Sequence, residues 1–196
     1  MEFIRVDKLS FDPRPIMGRI FVEGFYHSLK CFSKDKERLA QAFAHIFDLQ
    51  YFYAAMIDDE IAAVVACTDG KPPPISLDKR ILCRTLGFIR GRFAYWMLQK
   101  HVIAHTYPFE IPKQTGSIEF VATAPEHRGK GAAYGLLVHI MNTLPYTEYV
   151  LEVADNNTAA IRLYEKLGYR QFERAKAPRG SGFSSFLYMK YEQEHN

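Results

Sequence analysis

Cysteine is scarce in this chain. Cys31, Cys67 and Cys83 are the only three in 196 residues, and no two form a Cys-x-x-Cys pair. That usage supports neither a disulfide framework nor a structural zinc site, and it fits a reducing cytoplasm. Long apolar runs are missing as well. The longest, Ile61–Cys67, has seven residues, whereas a membrane span needs about 20. The start, Met1-Glu2-Phe3-Ile4-Arg5, lacks the apolar stretch of a signal peptide. Charge of one sign is also in short supply. Lys and Arg number 25 against 22 Asp and Glu, a net charge of +3, and the cations are scattered rather than striped as in a nucleic-acid binder. These absences predict a cytoplasmic protein with no membrane, nucleic-acid or metal partner.

The composition is that of an ordinary globular chain, 48% hydrophobic and 24% charged, and the length suits one domain over 1–196, with or without an insertion. Phe3 to Val6 reads as a first strand. Ile16, Ile20, Phe21, Phe25 and Leu29 give a helical face from Pro15 to about Lys30. Ser33 reads as the N-cap of a second helix over Lys34 to Phe47. Tyr51–Ile57 and Ile61–Cys67 read as a hairpin turning at Asp58-Asp59-Glu60. Helix, helix, strand, strand points to a mixed α/β sheet.

Gly70-Lys71-Pro72-Pro73-Pro74 breaks the pattern. From there to Thr115 the chain carries eight Lys and Arg against two Asp and Glu, and an apolar stripe of one or two helices. Three readings of this segment stand side by side. It is a helical cover whose basic face meets water, or it walls a substrate groove or a second subunit of a homodimer, or it lies on a membrane surface. Gly87 and Gly91 weigh against the last by lowering helix propensity. In the second reading Arg84, Arg90, Arg92 and Lys100 favour an anionic ligand. His101 and His105 are one helical turn apart but have no third metal ligand.

The most informative segment is Arg128-Gly129-Lys130-Gly131-Ala132-Ala133. It follows an apolar strand, Ile118 to Thr123, and opens a helix whose apolar residues recur at Ala133, Leu136, Leu137, Ile140, Met141 and Leu144. A glycine turn at a helix start presents unpartnered N–H groups to an anion, and the absence of Cβ lets a phosphate approach. A Walker loop needs Ser or Thr after its lysine, where Gly131 stands. A dinucleotide fingerprint needs glycine where Tyr134 stands.

The pattern that fits is Arg-x-x-Gly-x-Ala ending at Ala133, with Val121-Ala122-Thr123 and Pro125 ahead of it. It resembles the pyrophosphate loop of the GNAT superfamily of N-acetyltransferases. A second segment, Asn157-Thr158-Ala159-Ala160-Ile161-Arg162-Leu163-Tyr164-Glu165-Lys166-Leu167-Gly168-Tyr169, is similar to that family's Asn-x-x-Ala-x-x-x-Tyr-x-x-x-Gly-aromatic stretch. The two are separated by a helix and a strand, Tyr149 to Ala154, and together cover about 116–175. The resemblance implies the acyl-CoA N-acyltransferase fold, a mixed sheet flanked by helices, with 71–115 as a helical insertion before the acetyl-CoA strand and 116–175 as the acetyl-CoA-binding core.

It further implies acetyl transfer from acetyl-CoA to a primary amine on a small molecule or a peptide, by direct attack and without metal. Val121, Ala122 and Thr123 would offer backbone groups to the pantetheine arm. The amides from Gly129 through Lys130, Gly131 and Ala132 to Ala133 would hold the pyrophosphate, with charge from Arg128 or Lys130. Asn157 resembles a CoA-contacting asparagine and is equally a helix N-cap, whereas Gly168 reads as the left-handed stop of that helix. Tyr164 matches the tyrosine that faces the CoA sulfur and is the expected acid.

Two glutamates compete as base. Glu119 sits on the strand before the loop, on the face strict alternation shares with Val121 and Thr123. Glu152 sits on the next strand, placed as in the bacterial ribosomal-protein alanine acetyltransferases. A non-catalytic acyl-CoA-binding regulator is the alternative, and Tyr164 with two candidate bases argues against it.

Overall fold

Boundaries in this chain are set by short polar side chains and by glycine. The computed structural model describes residues 1–71, 73–104, 107–178 and 181–193. Strand β1 (Glu2–Arg5) leads to helix α1 (Arg14–Leu29), which has Pro15 in its first turn, where a missing N–H costs nothing. Helix α2 spans Lys36–Phe43, shorter than Lys34–Phe47. Its cap is Asp35, not Ser33. Asp35 is extended and its carboxylate accepts the Arg38 N–H at 3.0 Å, while the Ser33 hydroxyl accepts the Asp35 N–H at 3.1 Å. Aspartate caps as well as serine and adds a charge at the positive end of the helix. Replacing Asp35 by alanine is expected to lower stability by about 1 kcal/mol, read as a reduced urea midpoint at constant slope. An unchanged midpoint would remove Asp35 from that role.

Strands β2 (Phe52–Ile57) and β3 (Glu60–Thr68) form the expected hairpin. Its two turn residues, Asp58 and Asp59, have φ of 51° and 63°, as a type I′ turn requires. The segment after the prolines holds two helices, α3 (Lys79–Leu86), capped by Asp78, and α4 (Phe88–Leu98), which runs on into a π-helical turn at Gln99–Ile103. Neither glycine breaks α4. Gly87, at φ 89°, is the joint between the helices. Gly91 is buried where a Cβ would lie 2.4 Å from the Cys83 Cα, so it lets α3 and α4 touch. The propensity argument against α4 as a surface helix therefore fails.

Strand β4 (Thr115–Thr123), helix α5 (Ala132–Thr143), strand β5 (Glu148–Ala154) and helix α6 (Thr158–Lys166) follow in the expected order. Strands β6 (Arg170–Lys176) and β7 (Ser185–Glu192) close the chain. The sheet order is β1-β2-β3-β4-β5-β7-β6, and β4–β5 is its parallel pair. One apolar cluster packs α1 to α4 on one face, through Phe21, Leu39, Phe43 and Leu82. A second packs α5 and α6 on the other, through Leu136, Leu137, Ile140 and Tyr164.

Candidate active site

The site is made by one bulge. Phe120 has φ of 52°, a left-handed conformation costly for a bulky residue. Ala66 faces Glu119 and Val64 faces Ala122, so two residues of β4 oppose one of β3. The Phe120 ring is held by Phe21, Phe52 and Phe25, with centroids at 6.0, 6.3 and 6.2 Å. The bulge reverses the pleat. Ile118 packs with the α5–α6 cluster, yet Phe120, two residues on, packs with the cluster on the α1–α4 face, and Val121 returns to the α5–α6 side. Glu119 and Val121 therefore lie on opposite faces, which corrects the shared face read from strict alternation.

The same bulge ends the β4–β5 ladder. Among the described residues their pairing runs from Thr115↔Glu148 to Ile118↔Leu151 and stops there. Beyond it the strands part, and a cleft of about 2940 Å³ opens at the parting. Val121, Ala122 and Thr123 line it with their β5-side backbone unladdered, free to pair with an added extended chain.

The loop after β4 reaches the cleft at Arg128, Gly129, Gly131, Ala132 and Ala133. Gly129 and Gly131 have φ of 77° and 78°, and a Cβ on either would meet nothing within 4 Å. Gly131 starts α5 with no side-chain cap, so the first-turn N–H groups have no partner within the helix. An open glycine cradle backed by a helix dipole suits a pyrophosphate. The two cations behave differently: Arg128 lines the cleft, whereas the Lys130 ammonium donates to His127 Nδ1 at 3.4 Å. In that tautomer His127 Nε2–H donates to Glu60 Oε2 at 3.2 Å. His127, only 4% exposed, thus ties the loop to the start of β3, a part that nothing in the sequence pattern marked.

Both candidate bases line the cleft. Glu119 Oε1 accepts from the hydroxyls of Thr68 at 3.2 Å and Ser117 at 3.1 Å. The Tyr107 hydroxyl lies 2.9 Å from Ser117 Oγ. Burial pushes the Tyr107 phenol well up, and the negative charges of Glu119 and Glu152 add to the rise. The Tyr188 phenol is likewise pushed up, mainly by burial and then by Glu152, to which its hydroxyl donates. Tyr107 and Phe109 pack over Tyr188, with centroids at 5.8 and 5.4 Å, so the tail of the segment after α4 roofs the carboxylate end of the cleft. Tyr107, Tyr188 and Ser117 were not foreseen. The two tyrosines belong to a loop without periodicity and to the last strand.

Tyr164 is 5% exposed and lines the cleft from α6. Burial raises its phenol well above the ordinary range, which keeps the hydroxyl protonated. Asn157 is the cap of α6, accepting the Ala160 N–H at 3.3 Å, and it also lines the cleft. Gly168, at φ 92°, ends that helix.

Arg84, Arg90 and Arg92 do not line the main cleft; Lys100 and His101 do. His105 lies outside the described residues. Among the described residues no three His, Cys, Asp or Glu side chains come together as a metal site, and no helix is long and apolar enough to cross a membrane. Cys67 is buried among apolar side chains, and burial, with the nearby Glu119 charge, pushes its thiol up to about 12.

A sheet parted beside a glycine loop defines a frame for an acyl-CoA-dependent transferase. The model of the Acetyltransferase (GNAT) family matches residues 19–169, and the chain belongs to that family. No curated protein matches the sequence. Among solved structures the fold is similar to an N-acetyltransferase from Staphylococcus aureus Mu50, at 14% identity and TM-score 0.66, covering 97% of this chain and 100% of that one. It is also similar to yncA from Salmonella typhimurium, solved with its cofactor acetyl-CoA, at 16% identity and TM-score 0.58, covering 100% and 95%. A third is the ribosomal-protein-alanine N-acetyltransferase from Brucella melitensis, at 12% identity and TM-score 0.57, covering 98% and 99%.

Proposed function

We propose that the protein transfers acetyl from acetyl-CoA to a primary amine by direct attack, and that the acceptor is a small molecule rather than a protein N-terminus. The observation that carries this reading is the convergence of the glycine loop, two carboxylates and Tyr164 on one cleft at the parting of β4 and β5. When bound, acetyl-CoA supplies a thioester whose carbonyl carbon is open to an amine and whose sulfur can leave.

In this reading the backbone of Val121 to Thr123 pairs with the pantetheine arm. The amides of Gly129 to Ala133, with Arg128, hold the pyrophosphate. Freeing a lysine-like amine of its proton at neutral pH costs roughly 4 kcal/mol, and Glu119, oriented by Thr68 and Ser117, is the base that takes it. Glu152 is the second carboxylate facing the cationic amine. Tyr164 holds its proton for the departing sulfur. The high Cys67 thiol pKa, about 12, disfavours a cysteine nucleophile. The aromatic roof of Tyr107 and Phe109 over the carboxylates supports a small acceptor over an extended peptide.

The test is acetyl-CoA-dependent thiol release over a panel of small amines and short peptides. Release with a small amine supports the reading. Release with peptides alone, or binding of acetyl-CoA without release on any amine, overturns it. Glu119→Gln is expected to lower kcat/KM by about a hundredfold at neutral pH. Part of the loss returns at high pH, where the amine deprotonates unaided, and the melting temperature holds because glutamine still accepts from Thr68 and Ser117. If Glu152→Gln shows the larger, pH-dependent loss, the base is Glu152.

A further inference from the structure

Helix α4 turns an apolar face to solvent. Phe88, Ile89, Phe93 and Trp96 are 70, 81, 47 and 57% exposed, in a chain whose other large apolar side chains are mostly buried. Cations are set among them: the Arg92 guanidinium lies 5.4 Å from the Phe88 ring centroid and the Lys100 ammonium 5.5 Å from that of Trp96. Between Asp78 and Glu110 there is no acidic residue, against Lys79, Arg80, Arg84, Arg90, Arg92 and Lys100. Beside this face lies a second cavity of about 440 Å³, whose charged lining is Lys30, Lys34, Arg38, Arg90 and Asp35. Asp35 is already engaged in capping α2. Phe32, also in that lining, packs on Phe93 with ring centroids 6.0 Å apart, so the basic cavity and the apolar face are continuous.

The occupant must bring both apolar surface and negative charge. A second copy meeting it through the same face brings the apolar surface but not the negative charge. A two-fold contact through α4 sets the same cations against each other with no carboxylate from Lys79 to Ala104 between them. Phe88, Ile89 and Trp96 stand clear of both cavities, protruding rather than forming a groove that a partner helix would fill. Protruding aromatic and aliphatic tips among cations fit a deformable anionic interface, where rings enter the headgroup layer and Lys and Arg meet phosphates.

We propose that α4 docks the protein on an anionic lipid bilayer, with Phe88, Ile89 and Trp96 in the headgroup layer and a lipid phosphate in the basic cavity. This departs from the expectation, drawn from composition, that no membrane is a partner. It places the protein on a membrane surface without a span. Phe88, Ile89 and Trp96 do not line the catalytic cleft, although Lys30, Cys31, Phe32 and Lys34 of the basic cavity also border it.

Trp96 is the one tryptophan in the chain, so its emission reports on docking directly. With the full chain and vesicles of phosphatidylcholine containing phosphatidylserine, the Trp96 emission is expected to move to shorter wavelength. It should resist an aqueous quencher, and high salt should reverse both changes. Vesicles of phosphatidylcholine alone leave it unchanged. Arg90→Ala with Arg92→Ala is expected to weaken partitioning roughly thirtyfold, the equivalent of about 1 kcal/mol for each cation at an anionic surface. Phe88→Ser with Ile89→Ser, checked for folding by circular dichroism, should lose vesicle co-sedimentation yet keep acetyl transfer in solution. No shift with the serine-containing vesicles overturns the proposal. So does an equal shift with neutral vesicles, or a shift that grows with protein concentration in the absence of lipid, which would mean self-association.

Discussion

Gly131→Val is expected to raise the dissociation constant for acetyl-CoA on the order of a thousandfold, with a fall in melting temperature no larger than the strain of a β-branched residue at positive φ. The two effects separate because of what surrounds the glycine. A Cβ at Gly131 meets no protein atom within 4 Å, so the new side chain fills only the space in front of the loop. The pyrophosphate is then pushed off the loop amides. Losing two charge-assisted hydrogen bonds at about 2 kcal/mol each accounts for a thousandfold. The φ of 78° adds strain to a β-branched residue, and Gly131→Ala separates the contributions, since it carries the strain of a Cβ with little bulk. Calorimetric titration of acetyl-CoA measures all three proteins. Unchanged affinity in Gly131→Val would remove the loop from the binding site.

Tyr164→Phe is expected to lower kcat on the order of a thousandfold while the affinity for acetyl-CoA stays nearly the same. Only the hydroxyl is lost, and the ring continues to fill its place in the α5–α6 cluster. The sign of the pH dependence follows from burial, which raises the phenol pKa from its ordinary 10.0. The hydroxyl therefore stays protonated through the whole assay range, and the deficit is the same at every pH up to and beyond 10.0. A deficit that shrinks as the pH approaches 10.0 would mean that Tyr164 titrates normally. A fall in melting temperature equal in energy to the lost rate would assign it to packing alone.

The parts of the fold that were legible are those with local causes. The Asp58-Asp59 turn, the glycine loop, the Asn157 cap and the Gly168 stop each act through their own backbone, and each stands where its residue type predicts. The α2 cap was misplaced by two residues because Ser33 and Asp35 are both good caps. Only the extended backbone at Asp35 decides between them.

Of the candidate site, the residues singled out in the sequence, the glycine loop with Tyr164, Glu119 and Glu152, all line one cleft, but its geometry was not legible. A bulge at a phenylalanine has no sequence signature, since Phe120 is held left-handed by aromatic rings from α1 and β2, residues far away in the chain. That one residue moved Glu119 to the face opposite Val121 and opened β4 from β5. Tyr188 reached Glu152 only through the β5–β7 pairing, which places them opposite each other. Tyr107 arrived through a segment with no repeat to read.

The most direct test of acetyl transfer by direct attack is to follow an isotopic label in the acetyl group of acetyl-CoA. The protein is incubated with labelled acetyl-CoA alone, and then with the amine panel. The proposed reading predicts no label on the protein in the first case, and in the second one labelled amide per thiol released, on a small primary amine. Label retained covalently on the protein, or thiol released with no labelled amide, would contradict it.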